Sequence, residues 1–337
     1  MNLNLEPRLD LEPSYLIIVL SLICFTISFL LIYYSTIFLR KKGFVVEDFH
    51  KKDKRLVPKP AGPAIFAGIS LPLILLFAYT FEIKYFAVFL SISIIFLIGL
   101  VDDLKVLSGK LKTSLTIIGS FPLLFFGVYD SHLLFPIFGS VRITIIYPLL
   151  VLFAIPVVAN AFNMIDVYNG TISGSSAILC FSQIIPILLY GNYENVIFPL
   201  LIFAASFALF LFNKYPSKIF AGDSGSLMLG ALFCASAIVT RTEIPSLIAF
   251  VPAILNGFFI LASIKGVVEH RSIKARPVYM NEDGLLVASR DKKAPMTLAR
   301  LIVADGPMSE KKASTRILLL FVFSTILAIL TSLLIKR

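Results

Sequence analysis

The 337 residues contain no tryptophan, only three cysteines and only three histidines. Cys24, Cys180 and Cys234 fall inside long apolar runs and share no metal-ligand spacing. They read as packing thiols, and they say nothing about redox compartment. Charge is equally scarce, at 15% of residues against 58% hydrophobic. With a mean hydropathy of +0.92, that balance excludes an ordinary soluble domain and points to an all-α, polytopic membrane protein. A cleavable signal peptide is not expected: the first 14 residues carry Glu6, Asp10 and Glu12 against Arg8 alone, the wrong sign for its basic end.

A membrane span needs about 20 mostly apolar residues. Ten segments are candidates: 15–39, 63–80, 85–101, 114–129, 143–162, 174–190, 195–212, 225–240, 247–267 and 316–335. The fourth and eighth are the shortest. Of the 30 Lys and Arg residues, 24 follow odd-numbered spans, Arg316 included. The positive-inside rule then puts both termini outside and the odd-following loops in the cytoplasm. This topology accounts for the net charge of +10 without a nucleic-acid surface. Tyr15, Tyr79, Tyr85, Tyr129, Tyr147, Tyr190 and Tyr215 lie near span ends, where an interfacial aromatic belt belongs.

The polar residues at the cytoplasmic span ends carry the chemistry. Lys59 stands at the head of span 2 in Val57-Pro58-Lys59-Pro60-Ala61-Gly62-Pro63, where three prolines forbid regular helix. It is placed either as one more topogenic lysine or as a phosphate contact. Span 3 ends in Asp102-Asp103, at the pole of a helix where acids are disfavoured. Lys105, Lys110 and Lys112 are the local compensation. Span 5 ends in Asn160-Ala161-Phe162-Asn163-Met164-Ile165-Asp166-Val167-Tyr168-Asn169-Gly170, a loop without lysine or arginine. Asn160, Asn163 and Asp166 share one face if the helix continues, as interhelical bonds or as a site lining. In Phe220-Ala221-Gly222-Asp223-Ser224-Gly225, Asp223 is either a helix cap or a ligand for a hard cation. The loop after span 9 holds His270-Arg271 and Lys274-Ala275-Arg276-Pro277. Beyond it, 278–314 reads as a small cytoplasmic element with a strand or two.

All of these motifs fall on one face of the membrane. Acids that bind a divalent metal and cations that hold a diphosphate are what phosphoryl transfer requires. The order Lys59-Pro60-Ala61-Gly62-Pro63, Gly99-Leu100-Val101-Asp102-Asp103, Asn160 to Gly170 and Phe220-Ala221-Gly222-Asp223 resembles the polyprenyl-phosphate N-acetylhexosamine-1-phosphate transferases, over roughly residues 15 to 280. Within that family the last cytoplasmic loop looks more like the dolichol branch of archaea and eukaryotes than the triple-histidine loop of the bacterial phospho-MurNAc-pentapeptide translocases.

The resemblance implies a single ten-helix transferase domain over 1–337, with 268–314 its cytoplasmic loop element. It implies transfer of GlcNAc-1-phosphate from UDP-GlcNAc to a polyprenyl, dolichyl-type phosphate with release of UMP, the first step of a lipid-linked glycan pathway such as N-glycosylation. Mg2+ is the expected metal, with Mn2+ a substitute, on Asp223 and Asn163. Phe220 and Asn169 match the uracil contacts and Lys112 a diphosphate contact. Lys59 matches the lysine before the second span. Asp102 and Asp103 match the acceptor-side pair, with Asp166 beside them. Arg276, then Arg271, with His270, are expected near sugar and diphosphate. Relatives are often dimeric, so a homodimer joins donor and lipid acceptor as an expected partner. The setting is the cell membrane, or the endoplasmic reticulum for a eukaryotic chain. The alternatives are another donor, UDP-MurNAc-pentapeptide, and a secondary transporter, which would need inverted repeats and charges at mid-span. Because a phosphate monoester is already largely ionised at neutral pH (second pKa about 6), Asp102 is expected to orient the acceptor rather than act as a base.

Overall fold

The computed structural model describes residues 13–264, 266 and 275–335. Its helices in chain order are α1 (Pro13–Lys41), α2 (Gly62–Thr80), α3 (Ile83–Leu104), α4 (Gly109–Thr116), α5 (Phe121–Phe125), α6 (Tyr147–Ile165), α7 (Thr171–Leu179), α8 (Phe181–Tyr190), α9 (Ile197–Asn213), α10 (Gly222–Thr240), α11 (Glu243–Ala249), α12 (Val251–Ile264), α13 (Leu298–Ile302) and α14 (Glu310–Leu333). Three antiparallel hairpins join them: β1 (Val45–Glu47) with β2 (Leu56–Pro58), β3 (His132–Phe135) with β4 (Gly139–Arg142), and β5 (Val278–Met280) with β6 (Leu286–Ala288). The last hairpin and α13 form the small element expected within 278–314.

Among the described residues eight helical segments are long and apolar enough to cross a membrane, or nine if the α11–α12 pair is counted as one span. The chain is thus a multi-pass membrane protein, all-α apart from the three small hairpins. Two of the ten expected spans depart from straight helices. The segment at 114–129 is a succession of α4, a 3-10 stretch at Ile117–Ser120, and α5. Pro122 cannot donate to Ile118, and the ladder tightens just before it. The α11–α12 pair bends by 61°. There Pro252 has no N–H for the Ile248 carbonyl. Within α6, Pro156 likewise frees the Leu152 carbonyl, and Ser120 Oγ donates to it at 2.8 Å.

The eighth expected span, one of the shortest by sequence, is the centre of the bundle. In α10, 89% of the apolar stretch is buried, against 28% in α1. It packs against α2, α3, α6 and α9. The sequence permits this because α10 is rich in Gly, Ala and Ser, which let backbones close up where lipid offers no hydrophobic drive. The tightest approach is at its head. A Cβ on Gly99 would lie 2.6 Å from both the Asp223 carbonyl oxygen and the Ser224 Cα. Gly222, at φ +78°, takes a left-handed conformation, and a Cβ there would meet Pro60 and the Asp103 carboxylate.

Gly99→Ala forces α3 off the head of α10, backbone against backbone. It should destabilise by about 1–3 kcal/mol, the usual cost of overpacking. Thermal unfolding in detergent checks this: a Tm equal to the wild type would mean that the two helices have slack at this contact.

Candidate functional site

The span ends that carry the sequence motifs do meet. The ends of α3, α6 and α9 and the heads of α2, α4, α7, α10 and α14 converge on one end of the bundle. Asp103, on the last turn of α3, is the tie. Its Oδ1 accepts from the Asp223 N–H at 2.9 Å, and its Oδ2 accepts from the Ser224 N–H at 2.9 Å and Ser224 Oγ at 2.6 Å. Lys59 Nζ stands 3.1 Å from Asp103 Oδ1. Asp103 therefore caps the central helix from a neighbouring one, and satisfies N–H groups that no helix can satisfy for itself.

Lys59 is pinned by its own loop. Its N–H donates to the Phe44 carbonyl at 3.2 Å, and the next turn hangs on the segment before α10, with Ala61 N–H donating to Phe220 O at 2.9 Å. Burial of the Lys59 ammonium works against its charge. The Asp223 and Asp103 carboxylates outweigh that cost and hold its pKa above the ordinary lysine value.

Asp102, one residue earlier on α3, brings its carboxyl against the Asp223 side chain rather than the backbone N–H groups of α10. Its Oδ1 accepts from Leu107 N–H at 2.7 Å and its Oδ2 from Lys112 Nζ at 2.8 Å. Lys112 projects from α4, which Ser108 caps by accepting from Leu111 N–H. The same ammonium lies 3.8 Å from Asp223 Oδ2. It is thus the bridge between the Asp102 and Asp223 carboxylates.

Asn163, on the last turn of α6, completes the group. With its amide nitrogen toward α10, it donates to Asp223 Oδ1 at 2.8 Å and Ser226 Oγ at 2.7 Å, while its oxygen accepts from Lys112 Nζ at 3.2 Å. Turned over, Ser226 Oγ donates to Asn163 Oδ1 at 2.7 Å, and that oxygen and the Asp223 carboxylate oxygen face each other. Two facing oxygens repel unless a cation joins them. Adjacent oxygens around an octahedral Mg2+, each about 2.0–2.1 Å away, stand about 2.9 Å apart. Asp223 and Asn163 stand at a distance that an N–H···O bond satisfies equally well, so the fit to a hard divalent ion rests on the donor types, a carboxylate and an amide oxygen.

Asp166 follows the end of α6. It takes no hydrogen bond or salt bridge from the described residues. Its carboxyl is pushed up to about 7, by burial first and then by Asp223 and Asp103, with Lys59 opposing. Asn160 does not join this group. It donates to Thr116 Oγ1 at 3.1 Å and to the Pro156 carbonyl at 2.8 Å, which is the interhelical role.

The two residues expected at a uracil base lie on segments tied by a residue the sequence reading passed over. Asn213 Oδ1 accepts from the Gly170 N–H at 3.2 Å, beside Asn169, and its Nδ2 donates to the Ile219 carbonyl at 3.0 Å, beside Phe220. Asn169 is also held by acids that sequence reasoning missed. Its N–H donates to Glu310 Oε1 at 2.9 Å, and its Nδ2 to Asp48 Oδ2 at 3.2 Å. Asp48, His50 and Glu310 offer ligand atoms all within 4.8 Å of one another, the one such trio found among the described residues. Lys51 already answers their charge. Its ammonium pairs with Glu310, lies 3.9 Å from Asp48 Oδ2, and sits over the Tyr215 ring at 4.0 Å. The available sequence signal was the mixed charge of the 47–59 loop on the face that bears the other motifs. Arg276 lies over the Phe49 ring at 4.6 Å, next to this cluster. His270 and Arg271 lie outside the described residues.

The chain is similar in sequence to known proteins. Residues 85–241 match the model of glycosyl transferase family 4. A provisionally named glycosyltransferase of Methanocaldococcus jannaschii is 30% identical over 291 residues, 85% of this chain and 87% of that one. A Saccharolobus solfataricus protein, provisionally named a UDP-N-acetylglucosamine–dolichyl-phosphate N-acetylglucosaminephosphotransferase, is 32% identical over 255 residues, 72% of this chain and 78% of that one. A Bacillus licheniformis phospho-N-acetylmuramoyl-pentapeptide-transferase is 33% identical over 129 residues, 38% of each chain. The chain belongs to glycosyl transferase family 4, and is a membrane-embedded transferase of that family.

His50 packs edge-on to the Tyr168 ring at 5.0 Å. Burial lowers its pKa from 6.5 to about 4, against the pull of Asp48. Between those values the unfolded chain binds more protons than the folded one. Stability therefore rises with pH across the window, is complete above 6.5, and is lost as pH falls toward 4. His50→Gln should flatten the acid limb of Tm against pH in that window. Parallel limbs in variant and wild type would show that His50 does not titrate this way.

Proposed function

We propose that this chain transfers an N-acetylhexosamine-1-phosphate, GlcNAc-1-phosphate in the first instance, from a UDP-sugar to a polyprenyl phosphate of dolichyl type, releasing UMP. The observation that carries the reading is Lys112, set between the Asp102 and Asp223 carboxylates and within reach of Asn163. A cation bridge between paired acids and an amide, at the membrane-surface end of a bundle, suits a charged diphosphate whose acceptor is half lipid. The names of the archaeal relatives support the donor and the acceptor.

Asp223 and Asn163 would hold Mg2+, or Mn2+ in its place. The ion would neutralise charge on the phosphate oxygens as the transfer proceeds. The chain's own residues do the rest. Lys59 and Lys112 hold phosphate oxygens, and Arg276, Arg271 and His270 are read as the sugar and diphosphate contacts of the loop. Phe220 and Asn169 form the base-binding wall. An acceptor phosphate oxygen bonds to the β-phosphorus as the bond to the bridging oxygen breaks, and UMP leaves with that electron pair. Asp103, bound to four groups, positions the head of α10. Asp102 orients Lys112 and the acceptor. Asp166 faces the reacting groups in the field of Lys59. We read 1–337 as one transferase domain with 268–314 its loop element, both termini outside and the site cytoplasmic. We read the chain as a homodimer, as the resemblance implies.

Purified protein with Mg2+, polyprenyl phosphate and labelled UDP-GlcNAc should move label into the organic phase, release UMP, and stop on adding EDTA. Asp223→Ala should abolish transfer at every Mg2+ concentration. Transfer only from UDP-MurNAc-pentapeptide would keep the chemistry and change the donor. No transfer from either donor by folded protein would end the proposal.

Asp102→Asn keeps the shape but weakens the hold on Lys112. We expect a fall in kcat with an unchanged pH profile, because the acceptor phosphate needs no base at neutral pH. If the variant instead loses the low-pH limb of the wild-type profile, Asp102 is a base.

A further inference from the structure

We infer that Asp48, with Glu310 holding the backbone beside it, is a positioning residue that fixes the Asn169 amide as a hydrogen-bond acceptor toward the donor's base, and so selects uracil over cytosine. This rests on the reading of Asn169 as a base contact.

An asparagine amide can present either its oxygen or its nitrogen, and rotation by a half-turn exchanges them. Alone, it would suit a base with a ring N–H and a base with a ring acceptor equally. At Asn169 the choice is already made. Nδ2 donates to Asp48 Oδ2 at 3.2 Å, and an ionised carboxylate can only accept. Asp48 is charge-compensated in that state by Arg55 at 3.7 Å and Lys51 at 3.9 Å. The Asn169 backbone cannot turn to undo this. Its N–H is taken by Glu310 Oε1 at 2.9 Å, and its carbonyl accepts from Ser314 Oγ at 2.9 Å. That leaves Asn169 Oδ1, which accepts no hydrogen bond from the described residues, and the second hydrogen of Nδ2, whose place beside that oxygen the bond to Asp48 also fixes. With its oxygen set at N3, the amide accepts from the N3–H of uracil while its second N–H meets the neighbouring carbonyl oxygen. It meets the unprotonated N3 of cytosine as acceptor against acceptor, which leaves two polar atoms unpaired.

The test is binding of UMP and of CMP to the full-length protein in detergent with Mg2+, by calorimetry. Wild type should prefer UMP. Asp48→Asn, which lets the Asn169 amide turn over, should lower the UMP-to-CMP preference roughly tenfold, in part by gaining CMP affinity. The exchanged pair Asp48→Asn with Asn169→Asp keeps the net charge. It places a donor at 48 and a compulsory acceptor at 169, and should restore the preference to within about threefold of wild type. A purely structural role for Asp48 predicts weaker binding of both nucleotides and no rescue by the exchange. An unchanged preference in folded Asp48→Asn, or no preference in the exchanged pair, overturns the inference. If Asp48→Asn cannot be purified, the exchanged pair decides alone. Wild type that binds neither nucleotide overturns instead the uridine-donor reading beneath it.

Discussion

A helix that begins inside a low-dielectric bundle exposes N–H groups to surroundings that cannot hydrate them, and it needs an anion at its head. Asp103 supplies that anion to α10. It takes two backbone N–H groups and the Ser224 hydroxyl, and Lys59 balances its charge. Hydrogen bonds to a charged group are worth about 1.5–3 kcal/mol each, so this one carboxylate is a substantial fraction of what holds α3, α10 and the Lys59 loop in register. Gly99 and Gly222 are the steric counterpart: without side chains there, the carboxylate and the helix head can come into contact. Asp223 inherits its position from this arrangement, because its own N–H is one of the two that Asp103 holds.

The adjacent acids of α3 therefore divide their work by direction. Successive helical residues point about 100° apart, so Asp103 locks the helix while Asp102 reaches Lys112. The charges around the site point the same way. Asp102, Asp103, Asp166 and Asp223 face Lys59 and Lys112, an excess of carboxylate over ammonium. Such an excess is costly in a buried place: burial first, and Asp223 and Asp103 after it, raise the pKa of Asp166 against the pull of Lys59. A divalent ion on Asp223 and Asn163 would remove it, and the two lysines would then be free to meet phosphate oxygens.

Much of this was legible in the sequence because membrane proteins concentrate their polar residues where function needs them. Lys59, Asp102, Asp103, Lys112, Asn163 and Asp223 stood out as charge or amide at span ends, and they do come together. What failed to show was direction and long-range pairing. Nothing local separates Asp103, a cap for a helix 120 residues away, from Asp102 beside it. Asn160 shares its spacing with Asn163 and Asp166, yet Pro156 and Thr116 claim it. Asn213 and Glu310 read as an ordinary helix end and an ordinary first-turn acid, since their partners lie 43 and 141 residues away. The eighth span was expected and is present, but its shortness hid its central place, because a helix sealed by protein needs small residues more than an unbroken apolar run.

The hairpin β1–β2 joins the two halves of the site. Near its first strand, Asp48 holds the Asn169 amide; just beyond its second, Lys59 holds Asp103 and the head of α10. Pro58 accepts from the Phe220 N–H, and the strand pairing of Val45 with Pro58 closes the frame. Asn169, the base contact we propose, and the acidic centre are thereby fixed at opposite ends of one short, hydrogen-bonded piece of chain. A nucleotide whose base engages Asn169 and Phe220 would have its diphosphate delivered toward the lysines without any large rearrangement. Part of the ordering of these groups is met during folding, by contacts within the protein such as the Asp103 cap on α10, which leaves more of the binding energy for the transferring phosphoryl group.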